Sequence, residues 1–131
     1  MAFQCVIVTP EQQLLDEPAR QAIVPAHDGL IGILTDRAPL LAKLGLGRLQ
    51  VDLASGGRRE YLIDGGIAQM KDNKLTVLTN AAWAPEDLDA ATARAEYAEA
   101  EARRATDPKT QDERDRQMRR ARLKEAMAGG R

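Results

Sequence analysis

The chain divides near residue 85 into two halves whose sequences favour different kinds of backbone. Residues 1–84 carry eight Lys/Arg and nine Asp/Glu with most of the Gly, Val and Ile, whereas residues 85–131 carry eleven charges of each sign. Short apolar segments between turn residues are typical of strands, and charged, Ala-rich sequence is typical of helices. The sequence therefore predicts a β domain over residues 1–84 and an α-helical domain over residues 85–131.

The first half alternates in the manner of short strands. Leu49, Val51 and Leu53 share one face of a period-two segment, and residues 55–57 (Ser-Gly-Gly) supply the positive φ angles of a hairpin turn. The pair Gly65-Gly66 interrupts the next apolar run, which predicts a bulge or tight bend between two strands. Strands of about five or six residues leave room for roughly eight to ten of them, which predicts a β-sandwich or flattened barrel.

The second half predicts two helices joined by a short turn. Pro85 begins the first helix, since proline is favoured at the first helical position and the following acids complement the helix dipole. The pair Asp107-Pro108 ends this helix and starts the second, for which residues 110–113 form an alternative capping box. A narrow seam at spacings of three and four is expected to join the helices, and it consists of Leu88, Ala91, Ala95, Ala98, Ala102 and Ala105.

The two predicted helices carry opposite net charge and should attract each other when antiparallel. Residues 85–105 hold six acids and three bases, and residues 107–131 hold five acids and eight bases. Each exposed ion pair contributes little, typically under about 1 kcal/mol, and an alanine seam buries little apolar area. We therefore expect a weakly held hairpin, and such an element can have two arrangements of similar free energy.

The residue inventory offers no catalytic or metal-binding constellation. His27 is the single histidine and Cys5 the single cysteine, so a Ser-His-Asp, Cys-His or multi-His site lacks members, and we interpret both residues as structural. The net charge of −1 argues against a nucleic-acid partner. No apolar run reaches the roughly 18–20 residues that span a bilayer, and we expect no signal or transit peptide and no direct membrane insertion.

A basic cluster lies on the predicted second helix. One interpretation is a solvated face that pairs with the first helix, and the other is a contact with phosphate or with an acidic partner. No aromatic residues interleave the cluster, which argues against single-stranded nucleic acid. Both interpretations stay open for its members, which are Arg114, Arg116, Arg119, Arg120 and Arg122.

Three segments of the β half precede the helical tail in order. A Thr-Pro-Glu turn at residues 9–11 precedes residues 25–41, which read PAHDGLIGILTDRAPLL, and residues 65–80 read GGIAQMKDNKLTVLTN. As an ordered set they resemble the epsilon subunit of rotary F-type ATP synthases. The resemblance covers essentially the whole chain, with Thr35-Asp36 in place of the family's Pro-Gly and Arg37 in place of its histidine.

The resemblance implies both a fold and a role. The fold would be an N-terminal β-sandwich of about ten strands followed by a C-terminal antiparallel two-helix hairpin. The role would be that of a non-catalytic central-stalk subunit, which binds the gamma subunit, sits on the c-subunit ring and couples proton-driven rotation to ATP synthesis. The hairpin would either fold down on the β domain or extend toward the catalytic alpha and beta subunits, where it would inhibit ATP hydrolysis. The implied location is peripheral, at the cytoplasmic face of the bacterial inner membrane.

The resemblance also implies contact residues. The loops at residues 28–30 and 35–41 would face the rotor, and the five arginines of the basic cluster would meet acidic residues of the catalytic beta subunits. Because Arg37 stands where the family has a histidine, the resemblance does not decide whether this residue contacts the rotor. The candidates for rotor contact are Asp28, Gly29, Leu30, Arg37, Ala38, Pro39 and Leu40.

Some members of the family bind ATP through a motif of the form Ile/Leu-Asp-x-x-Arg-Ala on the first helix, together with arginines on the second. Leu88, Asp89 and Ala93 keep this motif, but Thr92 stands at the position of its arginine. The loss of a guanidinium removes a bidentate phosphate contact, and Arg94 points about 200° away. We therefore expect weak or absent ATP binding and no cofactor. Asp89 as a simple first-turn helix acid remains the alternative.

Two other functional classes stay open at this point. An enzyme built on a cupin-like sandwich would need clustered His or acid ligands, and a single histidine argues against it. A stand-alone nucleotide-sensing or adaptor module with a β-sandwich is the second. A subunit would lose stability without its partner and would bind no ligand alone, which separates it from such a module.

Overall fold

The computed structural model describes residues 2–129. The chain forms two compact units, the first ending at Trp83 and the second beginning at Ala84. The first unit is a β domain, and the second contains two helices, so the predicted fold class is confirmed. The strands are β1 (Phe3–Val8), β2 (Gln13–Ala26), β3 (Gly29–Leu34), β4 (Leu40–Leu53), β5 (Arg58–Lys71), β6 (Lys74–Leu78) and β7 (Ala82–Trp83).

The sheet of the β domain closes on itself. Its strands follow the order β1-β6-β5-β4-β2-β3, and β1 also pairs with β2, while β7 pairs with β5. The β1–β6 pairing is parallel and the others are antiparallel. Closure removes the free edges of β1 and surrounds a core built almost wholly from aliphatic side chains. Its fully buried members include Phe3, Ile7, Val24, Ile33, Leu49, Leu62, Ile63, Met70, Leu75 and Val77.

The strand number is lower than the predicted eight to ten, because neighbouring segments join into long strands. Within residues 2–129 there are seven strands, and β2, β4 and β5 have 14 residues each. The predicted division into two strands at Gly65-Gly66 is wrong, since β5 continues through both residues and keeps one register against β4, although both glycines have positive φ angles. A Cβ atom on Gly66 would lie 2.1 Å from the Leu78 carbonyl oxygen. The glycine therefore permits a close backbone approach rather than ending a strand.

The second unit contains a short 3₁₀ turn (Pro85–Asp87), α1 (Ala90–Ala102) and α2 (Pro108–Gly129). The start of the first helix was predicted at Pro85, and this is wrong, because Leu88 has extended backbone angles and separates the turn from α1. The second helix begins at Pro108, as predicted from Asp107-Pro108. Its first turn is capped by Asp107, whose Oδ1 accepts a hydrogen bond from the Thr110 N–H at 2.8 Å. The alternative capping box is not used.

The predicted alanine seam of α1 is also wrong. Its alanines are exposed, whereas Ala93 and Ala100 are buried. Tyr97 lies between these two at helical spacing and is half-buried. Covering a large aromatic ring removes more apolar surface from water than covering alanine methyl groups. The face of α1 that carries Ala93, Tyr97 and Ala100 is therefore the covered one. It is shifted by about two residues from the face expected from alanine spacing alone.

Candidate partner-binding surfaces

The first predicted rotor loop is a tight turn between β2 and β3. Ala26 pairs with Gly29, which leaves His27 and Asp28 as the two turn residues. Gly29 has φ +145°, in the region that favours glycine. The side chain of Leu30 is 73% exposed. The turn thus exposes an acid and a large apolar side chain close to each other.

The second predicted rotor loop connects β3 to β4. Ala38 and Pro39 are exposed, while Leu40 is half-buried as the first residue of β4. Arg37 is also half-buried, and its Nε atom has no hydrogen-bond partner among residues 2–129. A buried and unpaired guanidinium nitrogen is costly unless a further group satisfies it. The loop therefore offers a donor that is not yet satisfied within the described chain.

A side-chain pair that the sequence analysis missed ties this loop to the β5–β6 turn. The Asp36 N–H donates to the Asn73 Oδ1 at 2.7 Å, and the Asn73 Nδ2 donates to the Asp36 Oδ1 at 2.9 Å. The two residues are 37 positions apart. In the sequence Asn73 stands out only as part of the motif at residues 65–80, and no local signal links it to Asp36.

Among the described residues of the β domain, five large apolar side chains are exposed. Leu30 and Leu34 lie on β3, and Leu41, Ile67 and Leu78 lie on β4, β5 and β6 with exposures of 71%, 47% and 51%. Ile67 pairs with Leu78 and with Lys43, which places Leu41 diagonally opposite on the same face. Contiguous exposed apolar groups mark surfaces that partners cover. Leu41 falls within a predicted rotor loop, whereas Ile67 and Leu78 were not among the predicted contact residues.

The basic cluster of α2 is partly engaged with α1. The Arg114 Nη2 donates to the Glu101 backbone oxygen at 2.8 Å, and the Arg122 Nη2 donates to the Tyr97 hydroxyl oxygen at 2.8 Å. The Arg122 guanidinium carbon also lies 4.8 Å from the centre of the Tyr97 ring. Both acceptors on α1 are neutral oxygens, and Arg114 also lies 3.9 Å from the Asp115 carboxylate on its own helix.

Further contacts show that α1 and α2 are antiparallel. Lys124 Nζ lies 3.1 Å from Glu96 Oε2, and Arg103 NH1 donates to Gln117 Oε1 at 2.6 Å. Later residues of α1 thus meet earlier residues of α2. Arg116, Arg119 and Arg120, the other predicted members of the cluster, also take part in interactions within the structure. Attraction between opposite charges is therefore only one of the forces that hold the helices together.

The residues of the predicted ATP motif form a helix cap. Asp89 Oδ2 accepts hydrogen bonds from the Thr92 N–H at 3.1 Å and from the Thr92 hydroxyl at 2.7 Å. These bonds hold the pKa of the Asp89 carboxyl below its usual value, with the Thr92 hydroxyl as the main cause. Leu88 is half-buried and Ala93 is buried. Thr92 thus completes a cap at the position where the motif has an arginine.

A groove of about 430 Å³ runs between the two helices. Its lining includes Glu96, Glu99, Arg103 and Arg120, so acidic and basic groups are present in equal number. Among residues 2–129 no group of three or more His, Cys, Asp or Glu is arranged to hold a metal ion. None of the described helices is long and apolar enough to cross a membrane.

Comparisons with known proteins point to one family. Residues 2–85 match the family described as ATP synthase, Delta/Epsilon chain, beta-sandwich domain. The ATP synthase epsilon chain of Rhodopirellula baltica is 38% identical over 93% of this chain and 94% of its own length. That of Rippkaea orientalis is 33% identical over 99% of this chain and 98% of its own length.

Solved structures share the fold. A chain in the Euglena gracilis mitochondrial ATP synthase structure, titled OSCP/F1/c-ring in rotational state 1, has a TM-score of 0.82 at 22% identity, covering 93% of this chain and 78% of that one. A chain in the Tetrahymena thermophila mitochondrial ATP synthase structure, titled central stalk/cring, has a TM-score of 0.72 at 14% identity, with 95% of each chain covered. Both solved chains therefore share the fold of this chain.

Proposed function

Because this chain belongs to the ATP synthase delta/epsilon chain family, we propose that it is a non-catalytic central-stalk subunit of a proton-translocating F-type ATP synthase. The observation that carries the proposal is the match to epsilon chains along nearly the full length of both proteins. The chain is a subunit and not an enzyme on its own. Its role is to couple rotation of the c-subunit ring to ATP synthesis through the gamma subunit.

The β domain is the part that binds the rotor. The turn at residues 28–30 and the loop at residues 35–40 contact the c-subunit ring, and the exposed side chains of Leu41, Ile67 and Leu78 on the neighbouring strands meet the gamma subunit. Support comes from the exposure of these apolar groups and from the unsatisfied Arg37 Nε. Such a subunit works peripherally, at the cytoplasmic face of a bacterial inner membrane.

The helical hairpin regulates ATP hydrolysis. Opening the hairpin frees Arg114 and Arg122 from neutral acceptors on α1. Together with Arg116, Arg119 and Arg120 they can then pair with acidic residues of the catalytic beta subunits, where charge-assisted bonds are stronger than bonds to neutral oxygens. The alpha and beta subunits are thus partners of the open hairpin, and contact with them inhibits hydrolysis.

ATP binding by this chain is weak or absent. Thr92 occupies the arginine position of the motif, and Asp89 accepts the hydrogen bonds of a helix cap. Isothermal titration with ATP is expected to show no binding in the micromolar range, and micromolar affinity would contradict this. The matched variant Thr92→Arg restores the guanidinium and is expected to bind ATP more tightly than the native chain.

Steady-state ATP hydrolysis by a catalytic core that lacks its own epsilon subunit tests the regulatory role. Titration with the full chain should give saturable inhibition at one chain per core. A variant with the five cluster arginines changed to glutamine should bind the core and inhibit less. Binding without any change in rate would refute the inhibitory role, and a failure to bind would refute the subunit assignment.

A further inference from the structure

Asp36 has a backbone conformation that is unusual for its residue type. Its φ angle is +64°, in the left-handed region, where a side chain costs free energy relative to glycine. Aspartate tolerates this region when its short polar side chain or its backbone finds a hydrogen-bond partner. The loop at residues 35–39 therefore depends on what holds Asp36 in place.

Asn73 supplies both of the required partners. Its Oδ1 accepts from the Asp36 N–H at 2.7 Å, and its Nδ2 donates to the Asp36 Oδ1 at 2.9 Å. The loop's own bond, from the Arg37 N–H to the Leu34 carbonyl oxygen, is longer at 3.3 Å. The Asp36–Asn73 pair is thus the stronger tether of the loop.

Asn73 is itself fixed to the sheet. It forms a two-residue turn with Asp72, closed by the pairing of Lys71 with Lys74. Both turn residues have positive φ, +51° and +57°, as a type I′ hairpin turn requires. The Asn73 carbonyl oxygen also accepts from the Gln4 N–H at 2.9 Å. A residue anchored to β1, β5 and β6 can hold a neighbouring loop rigidly.

We propose that Asn73 is a positioning residue, which holds the loop at residues 35–39 in the conformation that presents Arg37, Ala38 and Pro39 to the rotor. This inference rests on the proposed function, because it assumes that the loop contacts the c-subunit ring. Arg37 follows Asp36 directly, so the backbone angles of Asp36 set the direction in which the Arg37 side chain leaves the loop. Preorganisation of this kind strengthens binding by lowering the ordering cost on contact.

A charge swap separates positioning from general stability. Asn73→Asp removes the Nδ2 donor, so the bond to the Asp36 carboxylate is lost. It also places two carboxylates side by side, and their repulsion weakens the remaining bond from the Asp36 N–H. Asp36→Asn keeps an acceptor for the Asn73 amide. The double variant Asp36→Asn with Asn73→Asp restores a reciprocal pair, because the new amide donates to the new carboxylate. All three variants keep side chains of nearly equal volume at both positions.

Two readouts are made on the full chain. Amide hydrogen exchange by NMR reports how tightly the loop is held at Asp36 and Arg37. Binding to a purified complex of gamma with the c-subunit ring reports its presentation. We expect Asn73→Asp to raise exchange at these amides and to weaken binding, each by about five- to tenfold. Asp36→Asn and the double variant should stay within about twofold of the native chain, with core amides such as that of Leu62 unchanged in all three.

The outcomes separate the tether from the function. Unchanged exchange in Asn73→Asp would overturn the tether. Raised exchange with native binding would overturn the positioning role, while the subunit assignment stands because the variant still binds. If Asn73→Asp binds weakly and the double variant does not restore binding, the positioning role is overturned as well. If the native chain does not bind the gamma and c-ring complex, the proposed function fails together with this inference.

Discussion

The contact between Tyr97 and Arg122 provides a direct test of how firmly the helical hairpin is closed. The guanidinium carbon lies 4.8 Å from the ring centre, within the range of a cation–π interaction. Such contacts contribute about 0.5–1 kcal/mol at exposed sites. The hydrogen bond from Arg122 to the Tyr97 hydroxyl, at 2.8 Å, adds roughly 0.5 kcal/mol after discounting for exposure. The coupling should therefore be about 1–1.5 kcal/mol, or close to tenfold in the closed-to-open ratio.

A double-mutant cycle measures this coupling, with the hairpin opening equilibrium read from amide hydrogen exchange in α2. Tyr97→Leu removes the ring face, and Arg122→Gln removes the charge, so together they report the full coupling. Tyr97→Phe keeps the ring and removes only the hydroxyl, so it should lose roughly 0.5 kcal/mol. Arg104→Gln serves as a charge-matched control, because Arg104 is exposed and lies in the segment that connects α1 to α2.

The reasoning would be refuted by a coupling below about 0.3 kcal/mol, which is the usual limit of additivity for independent sites. The reasoning would also be refuted if Arg104→Gln opened the hairpin as much as Arg122→Gln, because the loss of net charge, and not the specific contact, would then be responsible. In the catalytic-core assay, Tyr97→Leu should inhibit hydrolysis at lower concentration than the native chain, because it enlarges the open population.

Three further predictions concern single positions. Gly66→Ala should destabilise the β domain by more than about 3 kcal/mol in urea unfolding, because the new Cβ meets the Leu78 carbonyl oxygen at 2.1 Å; Gly56→Ala, with open space around it, should cost only about 1–2 kcal/mol. Hydrogen bonds from Thr110 hold the pKa of the Asp107 carboxyl below its usual value. The cap should therefore stabilise α2 above about pH 4, and this stabilisation should be lost as the pH falls through the lowered pKa. The helical circular dichroism signal should decrease in that pH range, and it should decrease less in Asp107→Asn. Burial raises the pKa of the Cys5 thiol to about 12, so a thiol reagent at pH 8 should label the chain only after unfolding, and rapid labelling of the native chain would contradict its burial.

The fold was largely predictable because periodicity and composition change together near residue 85. The long strands were not, since Pro25, Gly45 and Gly47 break local strand patterns. In the structure Pro25 lies within β2 and pairs with Leu30. A Cβ on Gly47 would lie 2.8 Å from the Pro25 Cβ, so this glycine makes room for the proline across the sheet. Tertiary pairing thus overrides the local propensity that the sequence pattern reports.

The candidate surfaces were predictable only in part. The loops at residues 28–30 and 35–41 came from an ordered motif, and their exposure is consistent with contact. The tether from Asn73 to Asp36 joins residues 37 positions apart, and no periodic signal reports such a pair. The inward stripe of α1 was misread because alanine recurs on more than one face, and a single large side chain, Tyr97, decides which face is covered.

ATP-driven proton pumping tests the central claim most directly. Inverted membrane vesicles would be stripped of the catalytic core, and the core would be returned either without its epsilon subunit or with this chain added at one copy per core. The account predicts that pumping per ATP hydrolysed recovers with the native chain and recovers less with Asn73→Asp. Equal pumping per ATP with and without the chain, despite its presence in the recovered complex, would contradict a role in coupling.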